Sequence, residues 1–580
     1  MKRLTRRPDR DEHQTNQLFP KGEDKRAMAD LNPVVFAHVV QMKAESSPDF
    51  PVLTFEYGDL GDEVVTYGRL FANAHRFAKA FQDLGLELGD RVGVFLRNYP
   101  EFVVTLAGNN TLGFVSVPLD PRLVGEKLAF QLNDSGVKVL VTTPDLLGAV
   151  LEIQEKLPKL KAIVVAEKPG LPLLKDLEPE TRRLRIPIIQ ASEILARPEV
   201  LLGQKADPMT PYAIMYTSGT TGDPKGVLQP TLGIWATSEI LGRRVFHYQS
   251  DDKLYTGLSL THGNANAVTL SPAVFLEIKA VFSPRFTKSR IWDICRKYGC
   301  TSFSLLGGMM TSIYGEPERP NDGDNPVRIV ASAGTPPSLW EAFERRFQVK
   351  ILEWYGAVDG GCICYKPVDD GPIGSFGKPL EDFCEVRVVN ENDQDVTPFE
   401  RGEMIGRFTL METKIDYWGK PEESAKKTHG GWVRSGDIVY KDDQGWLFFC
   451  HRKGAEIRRY GDFIQPDAIE KALIEHPRID DVCVYGVPSK AGAPGEKDVV
   501  AALVLQDEGL DLEALSDWCR ERLEKSHVPS YFQVVKEIPK TPSERPLTRL
   551  LEEDLARGAG TIYAVEGKAY LGGMSAQRQA

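Results

Sequence analysis

One short loop carries four hydroxyl side chains, three glycines and a lysine, and a loop of this composition could bind phosphate groups; it spans residues 217–226. Glycines let the backbone approach a ligand closely, and successive backbone N–H groups can converge on an anion. The hydroxyls add hydrogen-bond donors, and Lys225 adds a positive charge. We therefore predict that the loop wraps a polyphosphate through Thr217, Ser218, Gly219, Thr220, Thr221, Gly222 and Lys225.

The loop differs from the Walker A motif, in which a second glycine stands five residues after the first and precedes Lys and Ser/Thr. Five residues after Gly219 is Pro224, and five after Gly222 is Val227. A surface turn without a ligand is the plain alternative. The loop follows an apolar segment at 213–215, however, and α/β folds bind ligands where a buried strand opens into such a loop.

Two later segments contain residue types that suit a nucleotide. The turn at 332–337 consists of small residues, which leave room for a flat ring against the backbone. Further on, Tyr355 offers an aromatic ring that can stack on a base, and Asp359 offers a carboxylate that can hold Mg²⁺ on phosphates. An ordinary turn is the alternative for the first segment taken alone.

The phosphate loop resembles that of the AMP-forming adenylate-forming superfamily, which includes acyl-CoA synthetases, firefly luciferase and nonribosomal peptide adenylation domains. The resemblance extends from Pro33 to Leu555. It includes residues 431–437, which resemble the family's Trp-x-x-(Thr/Ser)-Gly-Asp motif. Residues 327–361 and 261–264 look most like the crotonobetaine/carnitine-CoA ligase branch.

The resemblance implies a role for each matching position. Adenine would lie against the small-residue turn and Tyr355, ribose would bond to Asp437, and Mg²⁺ would be held by Asp359 and Thr217. The residues implied in catalysis are Lys225, Arg545, Arg458 and His262, the last of these at the acyl pocket. The nucleotide contacts beyond the phosphate loop would be Gly334, Thr335, Pro336, Tyr355, Gly356, Asp437 and Arg452.

Four positions in the middle of the chain depart from the family's pattern. Val358 stands where the family has a threonine that bonds a phosphate oxygen, and Asp359 replaces a glutamate that is one methylene longer. In the hinge motif His451 replaces an aspartate and Phe463 replaces Asn or Gln, whereas Gly454 keeps the usual pivot position. A glycine pivot can still rotate.

Two further departures lie in the last motif, where Glu544 and Arg545 replace a Gly-Lys pair. That lysine bridges the substrate carboxylate and the α-phosphate in the family. Arginine keeps the charge, but its head group is wider and planar. One group that touches the reacting atoms can contribute about 3 kcal/mol, so several changes together could silence the step.

The resemblance implies an acid–thiol ligase that uses ATP, Mg²⁺ and CoA to convert a carboxylic acid into its CoA thioester through an acyl-adenylate. Two alternatives remain open. A divergent member could have weak or lost adenylation and act on acyl-CoA or acyl-AMP, or serve as a nucleotide-binding protein. A free-standing adenylation enzyme could instead load a carrier protein.

Helical and strand-like segments alternate through the first two-thirds of the chain, which predicts parallel sheets covered by helices. Thr66 could cap a helix that ends at Gly85. The apolar face of this helix would consist of Leu70, Phe77, Phe81 and Leu84, whose spacing is close to the helical period. Short apolar strands are predicted at 91–96, 137–141 and 162–166. A later strand is predicted at 445–450, where it ends one unit of the chain.

The predicted fold class is α/β, with a large N-terminal domain of helix-covered sheets and a smaller, mobile C-terminal α+β domain. We expect a polar, disordered tail at 1–30, the AMP-binding domain at 31–453 and the mobile domain at 454–580. In the last of these we predict helices at 467–475 and 512–525, the second capped by Asp511, and strands at 482–487 and 499–505.

Composition sets the remaining limits. The 580 residues have a net charge of -11, which argues against nucleic acid as a partner, and no apolar run reaches the length of a membrane span. The eight cysteines are scattered, which predicts free thiols and a cytoplasmic protein. The expected partners are a small carboxylic acid, ATP and CoA, and a homodimer is left open.

Overall fold

The computed structural model describes residues 35–217, 224–409, 412–453, 457–459, 462–464, 466–489, 497–507, 509–541, 546–558 and 561–565. Some predictions therefore concern residues outside these ranges. They are the tail at 1–30, loop residues 218–222, the pivot Gly454, and Glu544 and Arg545. For Arg458 and Phe463 the description covers the backbone only.

Among the described residues, a seven-stranded sheet carries the two ends of the phosphate loop. Its strands run parallel except the last, which pairs antiparallel with its neighbour and places Tyr216 opposite Gly226. In spatial order the strands are Ile188–Gln190, Ala162–Val165, Val137–Thr142, Arg91–Phe95, Val115–Pro118, Pro211–Tyr216 and Gly226–Pro230.

A larger sheet, of fourteen strands within the described part of the chain, is antiparallel at one end and mainly parallel at the other. Its path is Cys384–Val389, Arg401–Phe408, Trp432–Lys441, Leu447–Arg452, Ser375–Pro379, Cys364–Lys366, Lys350–Tyr355, Ile329–Ala333, Ser302–Leu306, Lys253–Thr256, Lys279–Phe282, Leu53–Glu56 and Asp62–Val65. The short strand Thr428–His429 pairs with Trp432–Lys441 off this path.

Helices cover both sheets. Up to residue 427 they are Phe36–Ser46, Tyr67–Asp83, Pro100–Leu112, Gly125–Ser135, Leu147–Ile153, Glu178–Thr181, Ala191–Leu195, Thr231–Glu239, Ser271–Leu276, Ile291–Tyr298, Gly307–Tyr314, Trp340–Phe347 and Pro421–Lys427. Single 3₁₀ turns occur at Gly58–Leu60, Pro144–Leu146, Gln154–Lys156 and Leu174–Leu177, and π-helical turns occur at Ile240–Val245 and Ala265–Leu270.

One hydrophobic core joins the two sheets. It contains Val92 and Val141 from the smaller sheet and Phe282 and Phe303 from the larger one, all buried. Every residue of the helix Pro100–Leu112 is buried, because this helix lies inside the protein. A methyl group at Gly108 would lie 2.6 Å from a carbonyl oxygen of the neighbouring helix, so the glycine permits this close packing.

The described part of the C-terminal region forms a separate sheet with two cores of its own. Its strands are Ile479–Pro488, Lys497–Leu505, Tyr531–Val534 and Thr561–Ala564, and a two-stranded ladder of Ile457–Arg459 and Asp462–Ile464 precedes it. Its helices are Pro466–Ile474, Leu512–Arg522 and Thr548–Arg557. The domain boundaries at 30 and 453 stay predictions.

Local signals placed several elements correctly. The Thr66 hydroxyl accepts a 3.2 Å bond from the Arg69 N–H and caps the helix Tyr67–Asp83, as predicted. Asp511 likewise caps Leu512–Arg522. One boundary was wrong: we predicted that a strand ends at Cys450, but Leu447–Arg452 continues because Arg452 pairs with Asp437 across the ladder. No helix of the described chain is long and apolar enough to cross a membrane.

Candidate nucleotide site

The site is built on loops that follow three parallel strands, which end at Leu306, Ala333 and Tyr355. Ligands of α/β folds bind beyond the carboxyl ends of such strands. A methyl group at Gly307 would overlap the carbonyl oxygen of Gly334, so the first two loops touch without room for a side chain. Gly334 itself has a φ of +84°, a conformation that glycine adopts without strain.

Glu353 holds the small-residue turn at 332–337 from its buried side, and this glutamate is only 4% exposed. Its carboxylate accepts bonds from the Gly334 N–H at 2.5 Å, from the Thr335 N–H at 3.3 Å and from the Thr335 hydroxyl at 2.5 Å. Burial raises the pKa of Glu353 to about 7, although the hydrogen bonds and Lys366 oppose this shift. The turn therefore has a fixed shape, and Gly334 lies exposed on its outer side, with Pro336 half-buried beside it.

Tyr355, Asp437 and Arg452 form one connected group. The Tyr355 hydroxyl donates a 2.6 Å bond to Asp437, and the Arg452 guanidinium lies 2.9 Å from the other carboxylate oxygen. Asp437 is 3% exposed. Burial and the Asp437 charge raise the pKa of Tyr355 well above its ordinary value, so the tyrosine stays a proton donor. Beside it, Gly356 is exposed.

The backbone around Asp437 explains its fixed position. Gly436 has a φ of +77°, and the Asp437 N–H bonds to the Ser435 hydroxyl at 2.9 Å. The ladder to the next strand shifts register just after Ile438. Such bulges re-aim side chains next to functional sites.

The two ends of the phosphate loop are joined, since the Thr217 N–H bonds to the Lys225 carbonyl at 2.9 Å. The Lys225 ammonium forms an ion pair with Glu423 and lies 5.2 Å from the ring centre of Tyr417. Both partners of this ion pair remain partly exposed. Lys225 is thus positioned at the edge of the site by residues from the 417–423 segment.

Asp359 is held by that same segment and the residues that follow it. Its carboxylate accepts a 2.7 Å bond from the Tyr417 hydroxyl and lies 3.1 Å from the Lys427 ammonium. Burial tends to raise the pKa of Asp359, but Lys427 and the Tyr417 hydroxyl outweigh burial and hold the pKa below its usual value. The carboxylate is therefore ionised, and its charge is already balanced by a lysine.

These contacts bear on the predicted Mg²⁺ site at Asp359 and Thr217. The Asp359 carboxylate lies in partly buried surroundings beside an ammonium group, and the Thr217 hydroxyl oxygen lies 3.4 Å from the Lys225 N–H. Within the described ranges, no three His, Cys, Asp or Glu side chains come together as a metal site. In this arrangement the two residues do not fit direct coordination of a resident metal ion, and we derive no step through one.

His262 lies on a loop that touches the Tyr355–Asp359 segment. A methyl group at Gly263 would lie 2.8 Å from Val358, so the two loops are in contact. The Asn264 N–H bonds to Nδ1 of His262 at 3.1 Å, which makes Nε2 the protonated ring nitrogen when the imidazole is neutral. Asn264 is 5% exposed, and neither polar atom of its side chain has a hydrogen-bond partner among the described residues.

The structure thus brings together most of the described residues that the sequence singled out: the turn at 334–336, Tyr355, Asp437, Arg452, Asp359, Lys225 and His262. Lys540, a cation close to the last motif, is instead paired with Asp481 at 2.6 Å. The side chain of Arg458, the loop residues 218–222 and Arg545 lie outside the description.

Three residues of the site were missed by the sequence analysis: Glu353, Tyr417 and Lys427. Glu353 carried a usable signal, because it stands two residues before Tyr355 among the apolar residues 351, 352 and 354, and alternate residues of a strand share one face. Tyr417 and Lys427 gave no such signal, since their partner Asp359 is distant in the sequence.

Comparison with family models gives two matches. Residues 40–410 match the model described as AMP-binding enzyme, and residues 468–545 match the AMP-binding enzyme C-terminal domain. These matches cover the segments that carry the motifs and agree with the resemblance drawn from them.

Several similar proteins are named as CoA ligases. The long-chain-fatty-acid–CoA ligase of Bacillus subtilis (strain 168) is 27% identical over 87% of this chain and 92% of its own length. The crotonobetaine/carnitine–CoA ligase of Salmonella arizonae is 26% identical over 84% of this chain and 93% of its own length. Among solved structures, the anthranilate CoA ligase AuaEII in complex with anthranoyl-AMP aligns with a TM-score of 0.77 at 21% identity, covering 91% of this chain and 99% of that one. The last comparison confirms the predicted fold.

Proposed function

Because the chain belongs to the AMP-binding enzyme family, we propose that it is an acid–thiol ligase that forms AMP and a CoA thioester from ATP, a carboxylic acid and CoA. The observation that carries this proposal is the group formed by Tyr355, Asp437 and Arg452 beside the turn that Glu353 holds. This group offers a ring for a base and a fixed, ionic acceptor for ribose hydroxyls.

In the first half-reaction, a carboxylate oxygen of the acid attacks the α-phosphorus of ATP. A new P–O bond forms, and the bond to pyrophosphate breaks. No protein nucleophile is needed, so the protein contributes alignment and positive charge. We assign the charge to Lys225, to Arg458 and to Arg545, and the phosphate contacts to Thr217 and loop residues 218–222. Mg²⁺ enters as part of the Mg·ATP substrate and neutralises phosphate charge.

In the second half-reaction, the CoA thiolate attacks the acyl carbon, and AMP leaves as the C–S bond forms. We propose that the chain divides at 453/454 and that the C-terminal domain rotates about Gly454 between the two steps. The adenylate would stay bound to Tyr355, Gly356, Asp437 and the 334–336 turn during this rotation.

The acid is assigned to the region around His262. This loop touches Val358 and therefore lies next to the segment that carries Tyr355 and Asp359. The Asn264 amide, which has no partner among the described residues, is available to a polar group on the acid. Relatives of almost equal identity are named for a long-chain fatty acid and for crotonobetaine or carnitine, so identity does not select the acid.

A second candidate is a member with weakened adenylation, and one observation favours it. Val358 has no hydroxyl for a phosphate and packs against an apolar cluster of Val227, Ile415, Tyr417 and Val433. ATP–pyrophosphate exchange separates the candidates, because it reports the first half-reaction without CoA. Exchange that needs an acid supports the ligase. ATP binding without exchange on any acid supports the second candidate.

We further propose a cytoplasmic location. All eight cysteines are free and buried, as expected for a reducing compartment. The partners under this proposal are the acid, ATP and CoA, without nucleic acid. A homodimer is the assembly to test first, by light scattering.

A further inference from the structure

We propose that Lys427, and not a metal ion, neutralises the Asp359 carboxylate. The metal of Mg·ATP is then held by phosphates and water and not by Asp359. The inference rests on the proposed function, because it concerns how the same site receives ATP.

Carboxylates and protein cations are paired across the site. Asp359 is paired with Lys427, Glu423 with Lys225, and Asp437 with Arg452. Each of these carboxylates therefore already has a protein cation as its partner. A divalent ion on Asp359 would need to displace Lys427, which is 14% exposed, or share the carboxylate with it. Placing two cations on one partly buried carboxylate is unfavourable because like charges repel.

Lys427 is also held in place by its helix. It ends the helix Pro421–Lys427, and this helix and the residue that follows it are bonded to the 415–417 segment at one point each. The Tyr417 N–H bonds to the Ser424 hydroxyl at 2.8 Å, and the Ile415 N–H bonds to the Thr428 hydroxyl at 3.1 Å. The helix therefore cannot withdraw Lys427 from Asp359 without breaking these contacts.

The length and surroundings of the acidic side chain also favour the lysine. Aspartate is one methylene shorter than glutamate, and here its carboxylate turns to the Tyr417 hydroxyl at 2.7 Å. The Lys225 ammonium lies over the Tyr417 ring, and the Lys427 ammonium contacts Asp359. The two lysines therefore contact opposite members of the hydrogen-bonded pair Tyr417–Asp359. A polyphosphate bound beside this pair would meet two lysines whose carboxylate partners, Glu423 and Asp359, are already neutralised.

Binding of a non-hydrolysable ATP analogue, measured by calorimetry with Mg²⁺ and with EDTA, tests the proposal without acid or CoA. For Lys427→Met we expect affinity in EDTA to fall about tenfold, because the Asp359 carboxylate then lacks its cation and repels the phosphates. Mg²⁺ should restore most of that loss, because Asp359 is then free to bind it. Lys426→Met is the matched control, since Lys426 is the exposed neighbour on the same helix, and it should bind as the wild type does.

Asp359→Asn provides the second variant in case Lys427→Met does not fold. The ratio of affinities with and without Mg²⁺ should match that of the wild type within about threefold, since asparagine removes a charge that takes no part in metal binding. Collapse of this ratio in Asp359→Asn would overturn the inference and leave the ligase intact. A wild type that does not bind the analogue under either condition would count against the proposed function itself.

Discussion

The Tyr355 hydroxyl donates a 2.6 Å hydrogen bond to Asp437, so the residue proposed to stack on adenine and the residue proposed to hold ribose are bonded to each other. Arg452 holds the same carboxylate from its other oxygen at 2.9 Å. Under these proposed roles, base and ribose recognition would be coupled through the two contacts, and a change in one residue should disturb the other.

Tyr355→Phe tests this link because it removes the hydroxyl and keeps the ring. A hydrogen bond to a charged group contributes about 1.5–3 kcal/mol, so we expect KM for ATP to rise about tenfold or more. KM for the acid should change little. Tyr440→Phe, on the same strand as Asp437, is the control. Unchanged ATP affinity in Tyr355→Phe would refute a positioning role for the hydroxyl.

The raised pKa of Glu353 makes a prediction about pH. The ordinary pKa of a glutamate is 4.5, and that of Glu353 in the folded protein is about 7. Between pH 4.5 and pH 7, therefore, Glu353 keeps its proton in the folded chain and has lost it in the unfolded chain. On account of this group, the free energy of unfolding should fall as pH rises through that window, by up to about 3 kcal/mol. Above pH 7 this contribution should be constant.

Glu353→Gln removes the titration, and thermal unfolding from pH 5 to pH 8 measures the difference. The wild type should lose more stability with pH than the variant does. The variant should also bind ATP more weakly, because an amide cannot accept all the bonds from Gly334 and Thr335. Parallel pH curves for the two proteins would show that Glu353 does not titrate in this range.

Gly307 has no room for a side chain, since a methyl group there would overlap the Gly334 carbonyl. Gly307→Ala should lower Tm, because overpacking costs about 1–3 kcal/mol, and should weaken nucleotide binding by moving the turn. Gly315→Ala, at the end of the same helix, is the control, since its nearest atom lies 3.4 Å away. Equal nucleotide binding in the two variants would argue against contact between the first two loops.

Substitution of His262 should weaken binding of the acid and leave binding of the nucleotide unchanged. We expect His262→Ala to raise KM for the acid several-fold, as one lost hydrogen bond of about 1 kcal/mol predicts, while KM for ATP stays unchanged. His38→Ala is a suitable control because His38 is exposed on the first described helix. An equal increase in both KM values would mean that His262 supports the site as a whole.

The elements that the sequence predicted correctly depend on neighbouring residues. Thr66 and Asp511 cap their helices through N–H groups two or three residues away, which a linear pattern contains. The family motifs likewise located Tyr355 and Asp437 without reference to the fold. Fold class and most of the candidate site were predictable for these reasons.

The rest depends on pairings that only the folded chain creates. His451 and Arg452 are polar, so they did not look like strand residues, yet the ladder extends to them because Asp437 lies opposite. The contacts of Asp359 with Tyr417 and Lys427 cross more than fifty residues of sequence. Glu353 reaches the turn only because its strand is in register with the strand before it.

The most direct test of the proposed ligase activity is AMP release from Mg·ATP with a panel of carboxylic acids, with and without CoA, for the wild type, Arg545→Lys and Arg545→Ala. We predict CoA-dependent AMP release by the wild type, retained in Arg545→Lys and lost by about a hundredfold or more in Arg545→Ala, because one group that stabilises the transferring phosphate is removed. ATP binding by the wild type without turnover of any acid, with activity appearing only in Arg545→Lys, would contradict this mechanism.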